Sequence, residues 1–417
     1  MAVSRAAEHR NYVGLAWHGT FLAAATALGQ PTTILPAYVA LLGGSPLVVG
    51  AMLSVLLAGS VVPELLFAHV VEGSPRKRPY LLLAVFSRAG AWIVLGASTW
   101  LFAGARQVWL LTLLFVLLAV FAVGGSLGSV AYTDIFGRSI APGVRGRFYA
   151  SRQFLGSIAA LAVTYLARLA LSGGRGDTTD GYALLFLGAG VLMLLAGIGF
   201  TLVRETPVAR SERPPLSRYL AQVGALWRQD PSLRALVWIE NVASLHLMLL
   251  PFYMLLAEAW LHVAPGAVAL YTMAQVVGGA LSNAIWGFVG DRFGSTAVLR
   301  ICLVLGAAMP VAALALAAFW PAGYIAIFFV LGAAIASRNL AFNNVLVDMA
   351  PVPLRATYTG IVGTLTAPSL LLPMLGGSLI ALFGYRDVFL AVSLSLAMSA
   401  WAIGRGRALR IAAAPPA

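Results

Sequence analysis

The sequence predicts an all-α membrane protein with twelve transmembrane helices arranged as two pseudo-symmetric six-helix bundles. Of its 417 residues, 60% are hydrophobic and only 10% are charged, and its mean hydropathy is +0.90. A water-soluble protein cannot bury that much apolar surface. Apolar runs of about 20 residues or more recur along the chain, which favours spanning helices over the ~10-residue alternating strands of a membrane barrel. A polar segment in the middle separates two sets of six runs.

Each of the twelve runs is long enough to cross a ~30 Å hydrocarbon core at about 1.5 Å per residue. The predicted spans are 12–38, 46–71, 80–103, 107–137, 148–171, 182–203, 234–260, 265–290, 297–319, 322–347, 357–382 and 387–404. They define an N-terminal bundle over 1–203, a linker over 204–233 and a C-terminal bundle over 234–417.

The linker carries its own structural pattern. Leu216, Leu220, Val223 and Trp227 recur at helical spacing, which predicts an amphipathic helix on the membrane surface. The sequence Asp-Pro-Ser at 230–232 then predicts the start of span seven, with the aspartate as N-cap and proline in the first turn.

Basic residues are distributed unevenly between the two sets of loops. Of the 27 Lys and Arg residues, 21 fall on the side that holds both termini, four on the other side and two within spans. The positive-inside rule therefore predicts a multi-pass protein of the cell's inner (plasma) membrane with both termini in the cytoplasm. The same bias explains the net charge of +13 without a nucleic-acid partner. A single cysteine, Cys302, excludes an internal disulfide and a cysteine metal cluster.

One short charged stretch, GFVGDRFGS at 287–295, stands between spans eight and nine. A tight link between antiparallel helices needs glycine, and Gly294 can supply a positive φ. Asp291, at the end of span eight, can face the positive N-terminus of a helix in the other half and hold that side closed. A plain tight turn is the alternative interpretation.

This stretch resembles the G-x-x-x-D-R-x-G signature of the major facilitator superfamily of secondary transporters. RGRF at 145–148 and PMLGG at 373–377 are also similar to that family, and a weak repeat that aligns Arg145 with Arg355 fits its duplicated halves. The resemblance implies alternating access and a set of gating residues: Glu72, Arg145, Gly287, Asp291, Arg292, Gly294 and Arg355. The loop after span two departs from the signature, because Ala68 stands where the family has glycine.

Polar residues within spans are the candidates for solute binding and coupling. A charge there costs about 2.5–3.5 kcal/mol on insertion scales, so each invites an explanation. Glu64 and Arg88 lie at similar predicted depth in spans two and three, which predicts a structural ion pair between them. Glu240 and Arg338 are predicted to form a static bridge between helices. The alternatives are that Glu240 takes up and releases a proton during the cycle, with His18 assisting, or that it only contacts the solute. The full candidate set, each member of which can alternatively serve as an interhelical hydrogen-bond partner, is His18, Gln30, Asp134, Glu240, Tyr271, Gln275, Arg338, Asn339 and Asn343.

The leading functional hypothesis is a secondary active transporter that moves a small organic solute by alternating access, with protons as a candidate coupling ion. The resemblance favours efflux. The alternatives are an uptake permease, a non-transporting sensor or scaffold, and a lipid-translocating protein. No nucleotide-binding glycine loop, zinc triad or nucleophile elbow occurs, so we expect no enzymatic activity, cofactor or metal. We expect a monomer whose partners are its solute and membrane lipid, with no nucleic acid.

Overall fold

The computed structural model describes residues 5–72, 74–102, 107–173, 178–205, 216–351 and 354–405. Within these ranges the chain folds into helices joined by short turns and contains no strand. The helices of the first half are α1 (Arg5–Leu28), α2 (Ile34–Leu41), α3 (Pro46–Val61), α4 (Glu64–Glu72), α5 (Arg78–Phe102), α6 (Gln107–Ser139), α7 (Arg145–Ser172) and α8 (Thr178–Leu202).

The linker contains α9 (Leu216–Gln229), and the second half then repeats the helical pattern. Its helices are α10 (Pro231–Ala243), α11 (Phe252–Leu261), α12 (Pro265–Phe293), α13 (Ser295–Phe319), α14 (Ile325–Met349), α15 (Arg355–Thr366) and α16 (Leu372–Arg405). Short 3-10 turns occupy Pro142–Val144, Ser244–Leu249, Pro321–Tyr324 and Ala367–Leu371.

Ten helical segments of the described chain are long and apolar enough to cross a membrane. The prediction of twelve differs at two places. The first helix, α1, begins with a charged turn and is not among the ten. The last segment, Thr357–Trp401, is 45 residues long, about twice what one crossing needs. Within it Gly384 has φ 81° and ψ 169°, a conformation that divides α16 into two helices and that only glycine adopts without strain.

Several predicted spans are broken inside the bundle. Span one is interrupted between α1 and α2 at 29–33, and span seven at the 3-10 turn Ser244–Leu249. A proline lies at each break, Pro31 and Pro251, and removes one backbone donor there. Because spans one and seven occupy matching places in the two halves, the paired breaks agree with the predicted duplication.

Two local predictions about helix ends are confirmed. The Asp230 side chain caps α10 by accepting hydrogen bonds from the backbone N–H groups of Ser232 at 2.8 Å and Leu233 at 3.1 Å. Gly294, which joins α12 to α13, has a φ of +83°. Each residue type is the one that its local geometry requires.

The bundle has two ends, which we call the linker side and the far side. The linker side holds the start of α1, the start of α7, α9 and the end of α12. The far side holds the start of α3, the end of α7 and the start of α12. The apolar core of the first half is continuous with the far-side core of the second half. The linker-side core of the second half, around Leu236, Phe342 and Tyr358, is a separate cluster, against which Val223 and Trp227 of α9 pack.

Candidate solute site

A central cavity of about 730 Å³ lies between the two halves. Its walls come from α1 and α7 of the first half and from α12 and α14 of the second. A cavity of this size suits a small organic molecule. The polar side chains that line it are Thr26, Gln30, Arg152, Gln153, Ser157, Gln275, Asn283 and Asn344.

This cavity opens toward the linker side. The lining residues nearest that side, Tyr149, Gln153 and Asn344, are exposed, whereas Ala160 and Gln275 at the opposite end are buried. The division of the apolar core follows the same pattern, because the halves share one core only on the far side.

Hydrogen bonds between the halves close the far side. At the break in span one, the Thr32 hydroxyl donates to Gln275 Oε1 at 2.8 Å, and the Thr33 hydroxyl shares a hydrogen bond of 2.6 Å with the hydroxyl of Thr272. Thr32, Thr33, Thr272 and Gln275 are all buried. Spans one and eight are therefore joined directly above the cavity.

Close backbone contacts form a second seal on the far side, between α3 and the first part of α16. A Cβ added to Gly50 would collide with the carbonyl of Pro373, and a Cβ added to Gly377 would collide with the carbonyl of Pro46. The backbone N–H of Met374 also donates to Ser54 Oγ at 3.1 Å. The PMLGG stretch thus packs against α3 of the other half at two glycines, Gly50 and Gly377, neither of which has room for a side chain.

The structure separates the predicted solute candidates into groups. Gln30 and Gln275 line the central cavity. Tyr271 does not: its ring is buried and stacks on Phe328 with the ring centroids 4.5 Å apart. Asp134 lies on a partly exposed helix face, paired with Arg138 at 2.6 Å. The side chains of Asn339 and Asn343 lie outside the described residues.

Glu240 and Arg338 do lie together in the second half. Glu240 Oε1 and Arg338 Nη2 are 3.8 Å apart, with 17% and 18% of the side-chain surfaces exposed. Arg338 Nη2 donates a shorter bond of 2.8 Å to Ser244 Oγ, and that hydroxyl donates in turn to the Glu240 carbonyl. The pair therefore stands at the broken turn of span seven.

His18 lies apart from that pair, in the first half. Its ring stacks on Phe200 with the centroids 3.8 Å apart, and Nδ1 lies 3.2 Å from the Ala196 carbonyl. It lines a second pocket, of about 240 Å³, together with Arg88, Tyr132 and Arg152. All of these neighbours belong to the first half, so no described contact joins His18 to Glu240.

The structure does not form the predicted ion pair between Glu64 and Arg88. Glu64 is exposed in the first turn of α4, whereas the Arg88 guanidinium lies over the Phe121 ring, 4.2 Å from its centroid. The prediction matched the two residues by depth, but depth does not determine which face of a helix a residue occupies.

The gating candidates lie on the linker side. Asp291 and Arg292 are exposed, and Asp291 forms no hydrogen bond or ion pair with a described residue. A Cβ added to Gly287 would meet nothing within 4 Å. Arg145 binds the end of α6 by donating to the carbonyls of Ile140 at 3.1 Å and Gly137 at 2.7 Å. The side chains of Glu72 and Arg355 lie outside the described residues.

One site residue, Arg152, was missed by the reasoning from sequence, which counted it among the basic residues outside the membrane. It lines both the central cavity and the smaller pocket. Its side chain runs across Gly19 of α1, where an added Cβ would collide with it. The signal was present, since Arg152 falls four residues inside the predicted fifth span.

Comparison with known proteins relates this architecture to a family. Residues 242–411 match the family model described as Major Facilitator Superfamily. An uncharacterized protein of Mycobacterium tuberculosis is 24% identical over 315 residues, which are 73% of this chain and 58% of that protein. The chain thus spans less than two thirds of the length of the curated relatives it matches.

Solved structures show the same fold over nearly the whole chain. The nucleoside transporter NupG is 17% identical with a TM-score of 0.66, covering 95% of this chain and 99% of its own. A D-xylose-proton symporter is 14% identical with a TM-score of 0.68, covering 95% and 96%. The second half of the chain therefore matches the model of the major facilitator superfamily by sequence, and the described residues share the fold of these solved transporters.

Proposed function

We propose that the protein is a secondary active transporter that moves a small organic solute across the membrane by alternating access. The observation that carries this proposal is the central cavity, which is walled by both halves, open on the linker side and sealed on the far side by contacts between the halves. Such a cavity reaches the opposite side only if the halves move relative to each other. A sensor or scaffold has no need of this arrangement.

The far-side seal is suited to opening and closing. It contains two hydrogen bonds between spans one and eight, and close backbone contacts with one hydrogen bond between spans two and eleven, beside the apolar core that the halves share on this side. No ion pair occurs among these described residues. Each such hydrogen bond contributes about 0.5–1.5 kcal/mol net. The hydrogen-bonded part of the seal can therefore form and break at a modest free-energy cost.

Asp291 is the candidate latch for the other side. When the linker side closes, its carboxylate would meet the positive N-terminus of α7, a contact worth about 0.3–1 kcal/mol when exposed. In the present arrangement that side is open and Asp291 has no partner among the described residues, which supports a latch in its released state.

Glu240 is the candidate coupling residue. Its Oε1 lies 3.8 Å from Arg338 Nη2, which is a loose ion pair. Glu240 also precedes the break in span seven, and span one, the matching span of the first half, lines the cavity. A carboxylate held by one long contact can lose its charge when the helix moves. His18 has no described contact with Glu240, so the coupling proposal is limited to Glu240 and Arg338.

We assign the linker side to the cytoplasmic face of the inner (plasma) membrane, because most basic residues lie on that side. The protein would then expose its cavity to the cytoplasm and act as a monomer. The resemblance to the superfamily favours efflux as the direction. Two solved structures of similar fold, a nucleoside transporter and a D-xylose-proton symporter, support a small solute and a proton.

A two-stage experiment tests this proposal. A thermal-shift screen of the purified protein against diverse small solutes should identify a ligand, because a ligand raises the melting temperature of the form that it binds. The ligand should then cross the membrane of proteoliposomes faster than that of protein-free vesicles. A proton gradient should increase this rate further. A ligand that binds but shows no protein-dependent flux in either direction would favour the sensor.

A further inference from the structure

The pocket of about 240 Å³ in the first half contains several basic groups and no acid. Arg88, Arg152 and His18 line it together with the hydroxyl-bearing Tyr132 and Ser129. No Asp or Glu is among its lining residues, and neither arginine forms an ion pair with a described carboxylate. We propose that this pocket binds the anionic group, a carboxylate or phosphate, of the transported solute. This inference rests on the proposed transport function.

Arg88 is the strongest evidence for the pocket's ligand. It lies ten residues into α5, about 15 Å along the helix and so at mid-depth in the bundle. Its guanidinium carries five N–H donors, yet it makes no hydrogen bond to a described residue, and its Nε is buried without a partner. The guanidinium carbon lies over the Phe121 ring, 4.2 Å from its centroid. An arginine at this depth without a partner is costly, and a bound anion would remove that cost.

The other polar groups converge on the same space. The Arg152 guanidinium lies 5.5 Å from the centre of the Tyr132 ring, and the Tyr132 hydroxyl is buried without a hydrogen-bond partner. His18 holds its Nδ1 against the Ala196 carbonyl, which leaves Nε2 as the ring's remaining hydrogen-bonding atom. Planar guanidinium groups bind carboxylate and phosphate through paired hydrogen bonds, so two of them form a strong oxyanion site.

The pocket also adjoins the transport cavity. Leu22 and Arg152 line both spaces, so we call the pocket a side chamber of the central cavity. Its volume equals about eight waters of liquid, enough for an oxyanion with a few attached atoms. The body of the solute would then lie in the central cavity near Gln30 and Gln275. The structure thus selects organic anions over neutral solutes of the same shape.

The position of Arg152 explains how the site is built. Gly19 of α1 leaves room for the Arg152 side chain to cross from α7 toward the pocket, and any side chain at that position would collide with it. Gly124 of α6 leaves room for the stem of Arg88, since a Cβ there would lie only 3.1 Å from Arg88 Cγ. Small residues on the neighbouring helices therefore direct both arginines into one chamber.

The test uses the full-length protein in a non-ionic detergent at low ionic strength and a panel of small probes. The anions are inorganic phosphate, acetate, benzoate and citrate, and benzamide is the neutral match for benzoate. We expect at least one anion to raise the melting temperature of the wild type while benzamide has no effect. Arg88→Gln and Arg152→Gln should each weaken the apparent affinity for that anion by about tenfold or more, the loss of a charged hydrogen bond.

Two further variants keep the test decisive. Arg88→Lys retains the charge but not the paired N–H donors, so it should respond to the anion more strongly than Arg88→Gln and less strongly than the wild type, which a merely structural role would not predict. Arg386→Gln removes an exposed far-side arginine and should leave the response unchanged. If Arg88→Gln gives no folded protein, the anion response of Arg152→Gln is compared with that of the wild type, because Arg152 lines both the side chamber and the central cavity. An equal anion response in the wild type and both glutamine variants, or no response of the wild type to any of the four anions, overturns the proposal.

Flux measurements separate this inference from the transport proposal. Protein-dependent flux of neutral solutes, without an anion response, would retain the transporter and reject the anion site. An arginine-dependent anion response, without flux of any solute, would retain the site and reject transport.

Discussion

Replacing Gly50 by alanine tests whether the far side is a closed gate that can open. The added Cβ would collide with the Pro373 carbonyl across the boundary between the two halves. Gly50 lies within α3, where alanine is the better helix former by about 0.5–1 kcal/mol. Any destabilisation must therefore come from the contact between the halves and not from the helix itself.

The expected magnitude follows from the geometry. Forcing one extra methyl group into a close-packed contact costs about 1–3 kcal/mol. The cost falls only on the state in which the far side is closed, because the contact is absent when the halves separate there. The ratio of far-side-open to far-side-closed protein should then rise by about 5- to 150-fold.

A single cysteine at Gln30 reports this shift. Gln30 lines the cavity beneath the far-side seal, and the native Cys302 is buried, so the parent protein should label poorly. In oriented vesicles, Gln30→Cys alone should react with a membrane-impermeant maleimide added on the linker side. When Gln30→Cys is combined with Gly50→Ala, the cysteine should also react with maleimide added on the far side. Combining Gln30→Cys with Gly377→Ala should give the same result.

Gly363→Ala is the matched control, because it lies on the same span as Gly377 and an added Cβ meets nothing within 4 Å. It should leave the labelling pattern of the parent unchanged. Unaltered far-side labelling in both Gly50→Ala and Gly377→Ala, with normal folding, would refute the assignment of these glycines to the gate.

Three other substitutions test separate parts of the account. Glu240→Gln should preserve solute binding and exchange but abolish accumulation driven by a pH gradient, whereas lower thermal stability with accumulation intact would indicate a static bridge to Arg338. Asp291→Asn should fold normally and increase maleimide labelling of Gln153→Cys from the linker side, and unchanged labelling together with unchanged transport would reduce the GFVGDRFGS stretch to a turn. Tyr358→Phe removes the 2.5 Å hydrogen bond to the Asp230 cap and should lower the free energy of unfolding by about 1–3 kcal/mol, and a melting temperature equal to that of the wild type would show that this bond contributes little.

The architecture follows from sequence because hydrophobic length and turn chemistry are local properties. Apolar runs marked the spans, the proline after Asp230 marked the start of α10, and glycine at 294 marked a turn with positive φ. The breaks in spans one and seven were not predicted. A hydropathy average is insensitive to a few non-helical residues, so an unbroken helix and a broken one have the same profile.

The candidate site was less predictable because it depends on which side of each helix a residue faces. Arg88 and Glu64 were matched in depth but lie on different faces, and Arg152 was read as a loop charge although it reaches a chamber deep in the first half. Gln30 and Gln275, predicted as solute contacts, do line the central cavity, since a long polar side chain in an apolar span needs a polar space.

The measurement that tests alternating access most directly is a reversible lock on the far side. The hydroxyl oxygens of Thr33 and Thr272 are 2.6 Å apart, so cysteines at both positions are placed to form a disulfide between the two halves. Solute flux through this double variant should stop on oxidation and return on reduction, while solute binding from the linker side persists throughout. Undiminished flux through fully cross-linked protein would contradict the account, because solute would then cross without the far side opening.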